Sequence, residues 1–411
     1  MRISTAIGLE TNGLIFDAKS DWKMDMNELD YRVETQIIHS GYDRKTCWVQ
    51  TRGGVIPPNQ AVITTQKLRI SGSDIFYGIN TLHSEDFGQT WTTPQPQPGL
   101  MRRRNPDGTE DCPCDGTPAW HAQSGKLLLT GHLAQYRDDN LVHGLRPRST
   151  YFSVYDAKTR LFSDWQTLAL PSDDPAFFNS GAGCVQRFDL PDGDILLPIY
   201  FLPPDDTTGC YRVSVMRCGF DGGTLVFKER GPDVICPEPR GFCEPSLTWF
   251  GGRYFLTLRN DVRGYVAVGE DGQRFEAPKP WMFDDGVEIG NYNTQQHWVT
   301  HRDGLFLVYT RRGANNDHVF RHRAPLFMAR VDPERLCLIR SSERVVVPER
   351  GARLGNFGIC TASPEETWVV VSEWMQTTGP DNYDCTKCER YGSNNALFVS
   401  RLRWNTLNGT M

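Results

Sequence analysis

One pattern recurs along the chain: alternating apolar residues, a turn rich in Asp and Gly, then an aromatic or aliphatic strand. It occupies residues 75–91, 151–165, 213–227, 265–275 and 327–339. Period-two alternation predicts strands with one buried face. The clearest turn is Ser84-Glu85-Asp86-Phe87-Gly88-Gln89-Thr90-Trp91. Its Asp can accept bonds from turn amides, its Gly supplies a positive φ, and its Trp starts a strand with a large ring to bury. The 268–275 turn is a degraded copy with Glu270 for Asp and Phe275 for Trp, and Asp221-Gly222-Gly223 is a weaker echo. Between these turns lie hairpins centred on Asp192-Gly193, Gly251-Gly252 and Asp303-Gly304. Two hairpins per unit make a four-stranded blade. A spacing of roughly 60 residues predicts an all-β, seven-bladed β-propeller of four-stranded antiparallel blades, with six blades as the alternative. Strands at 31–38 and 396–404 are expected to contribute to ring closure, and residues 1–411 read as one domain.

Composition agrees with short strands and tight turns: 11 Trp, 14 Tyr, 21 Phe and 38 Gly in 411 residues. The net charge of -6 argues against nucleic acid or an anionic membrane as partner. No apolar run approaches the ~20 residues of a membrane span. Met1 to Gly8 carries no signal-peptide core before Glu10. The expected location is secreted or extracytoplasmic with a leader removed, with the cytoplasm as alternative. Twelve cysteines, including Cys112-Pro113-Cys114 and Cys385-x-x-Cys388, read either as a disulfide set or as free thiols in strand cores. The Cys385 pair lacks a second zinc-spaced pair nearby. No cofactor is required by this reading, a structural calcium is left open, and the protein is expected to be a monomer. Asn408-Gly409-Thr410 is the one glycosylation sequon.

In a propeller the inner strands converge on the axis, so polar residues far apart in sequence can share a pocket. The candidates are His121 and His132 on one hairpin, Asn179, Tyr200, Arg212, Glu244, Arg259, His297, His318 and Arg353. Arg52 follows Trp48-Val49-Gln50 near the start. This inventory of His, Arg, Tyr and Asn suits a carbohydrate bearing a carboxylate, which an Arg fork binds bidentately. Arg102-Arg103-Arg104 reads as a solvated loop.

The Ser84–Trp91 motif is the full form of the Asp-box, the turn of sialidase-like propellers, in which Asp86 is structural. Over most of its length the chain resembles the L-rhamnose-α-1,4-D-glucuronate lyases of polysaccharide lyase family 42 and the related rhamnosidases of glycoside hydrolase family 145. The resemblance rests on 66–74, 181–187, 293–298, 322–327 and 350–358. It implies a glycan substrate ending in rhamnosyl-glucuronate, as in arabinogalactan. A base takes the C5 proton, charge builds on the uronate carboxylate, and the rhamnosyl oxygen leaves C4. It implies a His acid/base, here His121 or His132, with Arg212 as carboxylate clamp and Tyr200 in support. Arg52, Asn179, Glu244, Arg259, His297, His318 and Arg353 are the expected substrate contacts. Where the rhamnosidases place a His, this chain has Gln50, which cannot move a proton at neutral pH. That departure favours elimination over hydrolysis. The rivals are a rhamnosidase, an exo-sialidase (with three arginines, a Tyr-Glu pair and an Asp acid) and a non-catalytic glycan-binding propeller.

Overall fold

The computed structural model describes residues 29–72, 74–236, 238–377 and 383–409. The segment Met1 to Gly8 and Ser73 of the 66–74 run lie outside the described residues, as does Thr410 of the sequon. Asn408 has both ends of its amide engaged, accepting from the Arg302 amide and donating to the Thr300 carbonyl.

The strands form six antiparallel sheets, numbered here along the chain. Sheet I is built on Thr46–Ile56, Gln60–Arg69 and Phe76–Ser84, sheet II on Glu110–His121, Lys126–Arg137 and Thr150–Asp156. Sheet III has Ile195–Phe201, Arg212–Phe220 and Leu225–Arg230; sheet IV has Cys243–Phe250, Arg253–Arg259 and Tyr265–Gly269. Sheet V has His297–His301, Gly304–Tyr309 and Leu326–Asp332. Sheet VI combines Gly358–Ser363, Glu366–Ser372 and Leu397–Trp404 with the early strand Tyr31–His39, which pairs with Leu397–Trp404. That pairing is the expected ring closure.

The core is a series of apolar layers between neighbouring sheets. Val62 and Ile79 meet Leu127 and Tyr151 between sheets I and II, and Phe255 and Val266 meet Trp298 and Leu307 between IV and V. Ile63 and Leu82 meet Trp368 and Val399, so the last sheet packs on the first. The arrangement is a β-propeller. Its count corrects the expectation of seven blades, or of six. Five sheets are regular blades with an unbroken innermost strand, whereas that of sheet III is split into Ser180–Gly181 and Phe188–Asp189. The spacing argument overcounted because long loops, such as 142–149 and 202–211, consume chain without adding strands.

The turn pattern is realised five times. Asp86, Asp156, Asp221, Asp271 and Asp332 each accept two main-chain N–H bonds across their own turn. In the degraded copy the acceptor is Asp271, not Glu270, because its side chain lies one residue nearer the turn amides. At the full Asp-box, Asp86 also accepts from Ser84 and from the Thr90 hydroxyl, which hold its carboxyl down to about 2. Trp91 sits edge-on to Trp368 of sheet VI, and Arg401 donates to the Phe87 and Gly88 carbonyls. The motif therefore clips sheet I to sheet VI.

Arg102 corrects the reading of 102–104 as a solvated loop. It is largely buried, lies 4.1 Å over the Tyr136 ring and pairs with Asp139 at 2.8 Å.

Candidate active site

Three innermost strands carry the same irregularity. Gln50 and Thr51 both oppose Thr65; Asp115 and Gly116 oppose Gly131; Glu244 and Pro245 oppose Leu258. Each is a bulge whose first residue takes a positive φ: 56° at Gln50, 54° at Asp115 and 46° at Glu244. Cys184 (56°), between the two halves of sheet III's innermost strand, and Asn293 (52°), in the segment entering sheet V, adopt the same conformation. Left-handed backbone is costly for residues with a Cβ, of order 1–3 kcal/mol each, and such strain concentrates at functional sites. Here it turns Gln50, Asp115, Glu244 and Asn293 toward a central cavity of about 420 Å³, a size in the range of small-ligand sites, ~300–1,000 Å³.

One wall of the cavity holds His132, Asp115 and Tyr200. His132 Nε2 lies 3.4 Å from Asp115 Oδ2, and its Nδ1 lies 3.5 Å from the Tyr200 hydroxyl. Burial, then Arg148, Arg146 and Arg52, push the imidazole well below its ordinary pKa, so it is neutral. Burial raises the Asp115 carboxyl to about 6 and lifts the Tyr200 phenol well above its ordinary value. The histidine has room because Gly181 and Gly183 face it: a Cβ on either would collide with its side chain. That is the physical content of the Gly181-Ala182-Gly183 run. Arg148 completes the wall, stacked 4.3 Å over the Tyr200 ring and donating to the Tyr200 carbonyl at 2.9 Å.

The opposite wall is built from Arg259, Arg323 and Arg353. Arg259 pairs with Glu244 at 2.5 Å and donates to Asn293 at 2.8 Å. Arg323 is held by the Asn293 carbonyl and by Asn356. Burial, then Arg259, Arg353 and Arg321, depress its pKa well below the usual guanidinium range. Arg353 lies between Trp374 at 3.9 Å and Phe320 at 4.6 Å and donates to Gln376 at 2.6 Å. Burial brings it down to about 9. Seven arginines line the cavity against four carboxylates.

Of the expected catalytic residues, His132 and Tyr200 meet here and two do not. His121 shares the hairpin with His132 but pairs with Lys126 beside the turn, at the far end from Cys114 and His132. It is buried, bonded to Ser124 at 2.8 Å and to the Gly193 carbonyl at 3.0 Å, and joins two blades instead of lining the cavity. Arg212 also lies outside, paired with Asp233 at 3.3 Å. The arginine that stands beside His132 and Tyr200 in the cavity is Arg148 instead. Glu244, Arg259 and Arg353 line the cavity as expected. Arg52 is fully buried beneath it, donating to Gln50 at 2.9 Å and Gln295 at 3.1 Å, so Gln50 anchors an arginine. Asn179 supports the Arg146 carbonyl from behind. His297 is buried against Phe357, bonded to Ser246 and pushed down to about 3 by burial. His318 pairs with Glu349 and stacks on Tyr391 away from the cavity.

Sequence reasoning missed Asp115, Arg146, Arg148 and Asp261. The one available signal was Cys114-Asp115-Gly116, an Asp-Gly pair inside a strand pattern, which marks a bulge. All twelve cysteines are free. Among the described residues no three His, Cys, Asp or Glu side chains group as metal ligands, and no helix is long and apolar enough to cross a membrane.

No protein-family model matches the chain, and no curated protein matches its sequence. Solved structures do match its shape. A protein of unknown function from Dyadobacter fermentans superposes with a TM-score of 0.58 at 15% identity, covering 90% of this chain and 99% of that one. The Hadza microbial sialidase Hz136 gives 0.61 at 10% identity over 90% and 68%. Trypanosoma rangeli sialidase with the inhibitor DANA gives 0.57 at 12% over 87% and 55%, so this chain spans about half of that protein. The likeness shows a sialidase-like β-propeller fold.

Proposed function

We propose that the chain is a carbohydrate-active enzyme for carboxylated glycans, acting as a lyase that removes terminal rhamnose from O4 of glucuronate. The observation that carries elimination is the neutral His132 set between Asp115 and Tyr200, beside Arg148. A neutral imidazole can accept the C5 proton of a uronate. The electrons left behind build an enolate on the carboxylate, where Arg148 and Arg146 neutralise the growing charge. The C4–O bond breaks, and the departing oxygen takes the proton that the Tyr200 phenol retains. A C4–C5 double bond remains in the uronate. The arginine excess supports an acidic sugar; the choice of rhamnosyl-glucuronate rests on the family resemblance and on Gln50 replacing the rhamnosidase histidine.

Hydrolysis is the second reading, favoured by Asp115. A carboxyl raised to about 6 can act as the general acid of a glycosidase. The sialidase version lacks support from its nucleophile. Among the described residues the glutamate-bonded tyrosines Tyr42, Tyr265 and Tyr309 lie outside the cavity, and Tyr200 turns to His132.

Incubation with rhamnose-capped arabinogalactan from gum arabic separates these readings. Free rhamnose with rising ultraviolet absorbance of an unsaturated uronate is the expected result. Rhamnose without absorbance would establish hydrolysis. Neither signal would leave a different acidic glycan or a glycan-binding propeller.

A further inference from the structure

Arginine charge exceeds carboxylate charge around the cavity, where Asp74 acts by charge on Arg353 and Arg321. Glu244 and Asp261 are engaged by Arg259, and Asp261 also by Arg240 at 3.7 Å. Asp115 faces His132. Arg146, Arg148, Arg321, Arg323 and Arg353 make no ion pair within 4.0 Å among the described residues. Three of them are nevertheless fixed. Arg148 is held by a carbonyl and an aromatic ring, Arg323 by Asn293 and Asn356, and Arg353 by Gln376 between two rings. Each of these direct supports is neutral, and Asp74 offsets only part of the charge shared by Arg321, Arg323 and Arg353. Among the described residues the buried Nε groups of Arg146, Arg148, Arg323 and Arg353 find no partner.

These arginines fall into two groups. Arg146 and Arg148 sit on the loop leading to Thr150, the residue opposite His132 in sheet II. Arg321, Arg323 and Arg353 come from the loops of sheets V and VI, and Arg321 is at the exposed mouth. The Arg259–Glu244 pair belongs to sheet IV, between sheets III and V. One carboxylate presents two oxygens and satisfies one fork.

We infer that the substrate carries two anionic groups, one held by Arg146 and Arg148 beside His132, and the second by Arg321, Arg323 and Arg353. This rests on the proposed reading for the first group, the uronate carboxylate at the point of elimination. The second is a carboxylate or a sulfate ester on the neighbouring sugar. The preferred substrate is then an acidic oligosaccharide with charges on adjacent residues.

The test is calorimetric binding to the full chain carrying His132→Gln, so that no probe is consumed. The probes are methyl glucuronide, galacturonosyl-galacturonate and a methyl glucuronide linked to a sulfated sugar. Both dianions should bind about tenfold or more tightly than the monouronate, the gain of one further charged bidentate contact. Arg323→Gln should remove that gain, weakening both dianions far more than the monouronate, and Arg353→Gln should do the same in a separately folded variant. Arg148→Gln should weaken all three. A preference for one dianion identifies the second group as carboxylate or sulfate. Equal affinity for mono- and dianions, loss of monouronate binding in both sheet V–VI variants, or no binding of any probe would overturn the inference. Turnover by the unsubstituted chain is scored separately. A dianion preference without elimination keeps the two-anion site and removes the lyase reading, and elimination without the preference does the reverse.

Discussion

At the scale of single residues, the cavity wall is defined by three groups that burial pushes away from their ordinary proton affinities. His132 is kept neutral and Tyr200 protonated, which suits them to take and give a proton. Replacing His132 by Gln should lower kcat by at least about 10²-fold, the usual worth of a general base, while the melting temperature changes little. An unchanged rate would remove His132 from the mechanism. Asp115 titrates near 6, and its ionised form orients and polarises His132. Activity should therefore rise with pH through about 6, and Asp115→Asn should abolish that limb. The same shift has a stability consequence. The folded chain holds the Asp115 proton more tightly than the unfolded chain between pH 3.8 and about 6, so stability falls as pH rises through that window. Asp115→Asn should gain stability over the parent at pH 8 relative to pH 4, by up to about 3 kcal/mol for a two-unit shift. Thermal melts at the two pH values give the sign directly.

At the scale of elements, two short motifs do different work. The Asp-box is a turn lock at the outer end of sheet I, and its carboxyl is held down to about 2 by turn donors. That stabilisation is present above the unfolded carboxyl value and fades as pH falls toward 2. Asp86→Ala should lower the melting temperature and leave KM and kcat of the surviving enzyme intact, since the motif contacts sheet VI and not the cavity. The Gly181-Ala182-Gly183 run works at the cavity instead. Gly183→Ala would place a methyl group on the His132 ring. Its expected signature is the reverse: a large fall in kcat with the turn locks intact. Melting curves and kinetics on both variants test the division, and a Gly183→Ala enzyme of full activity would refute it.

At the scale of the whole molecule, the ring depends on a strand contributed by residues far from their partners in sequence. Tyr31–His39 completes sheet VI along Leu397–Trp404. A chain starting at Gly41 would leave that strand as an open edge with unpaired main-chain groups. It should melt earlier and elute partly as aggregate by size-exclusion chromatography, and a peptide of residues 31–39 should restore the melting temperature and elution volume of the full chain. Equal stability with and without the strand would show that the layers between sheets suffice.

The repeat was legible in the sequence because its cause is local. Alternation sets which face of a strand is apolar, and an Asp two or three residues from the donors of its own turn needs no distant partner. The five turns, the Asp-box and the two closing strands were therefore readable from the chain alone, although at 268–275 the reading put Glu270 where Asp271 accepts. The blade count was not, since it depends on how much chain the loops take and on the broken inner strand of sheet III. The cavity was readable only as an inventory. Identical His and Arg residues serve opposite ends, as His121 and His132 do, and nothing local says which end of a strand meets the axis. The convergence of loops from six sheets and the burial that shifts Asp115 and His132 exist only when the ring is closed. Proton affinities respond to the summed charge and desolvation of neighbours that the sequence keeps hundreds of residues apart, so tertiary structure alone decided which of the polar residues form one site.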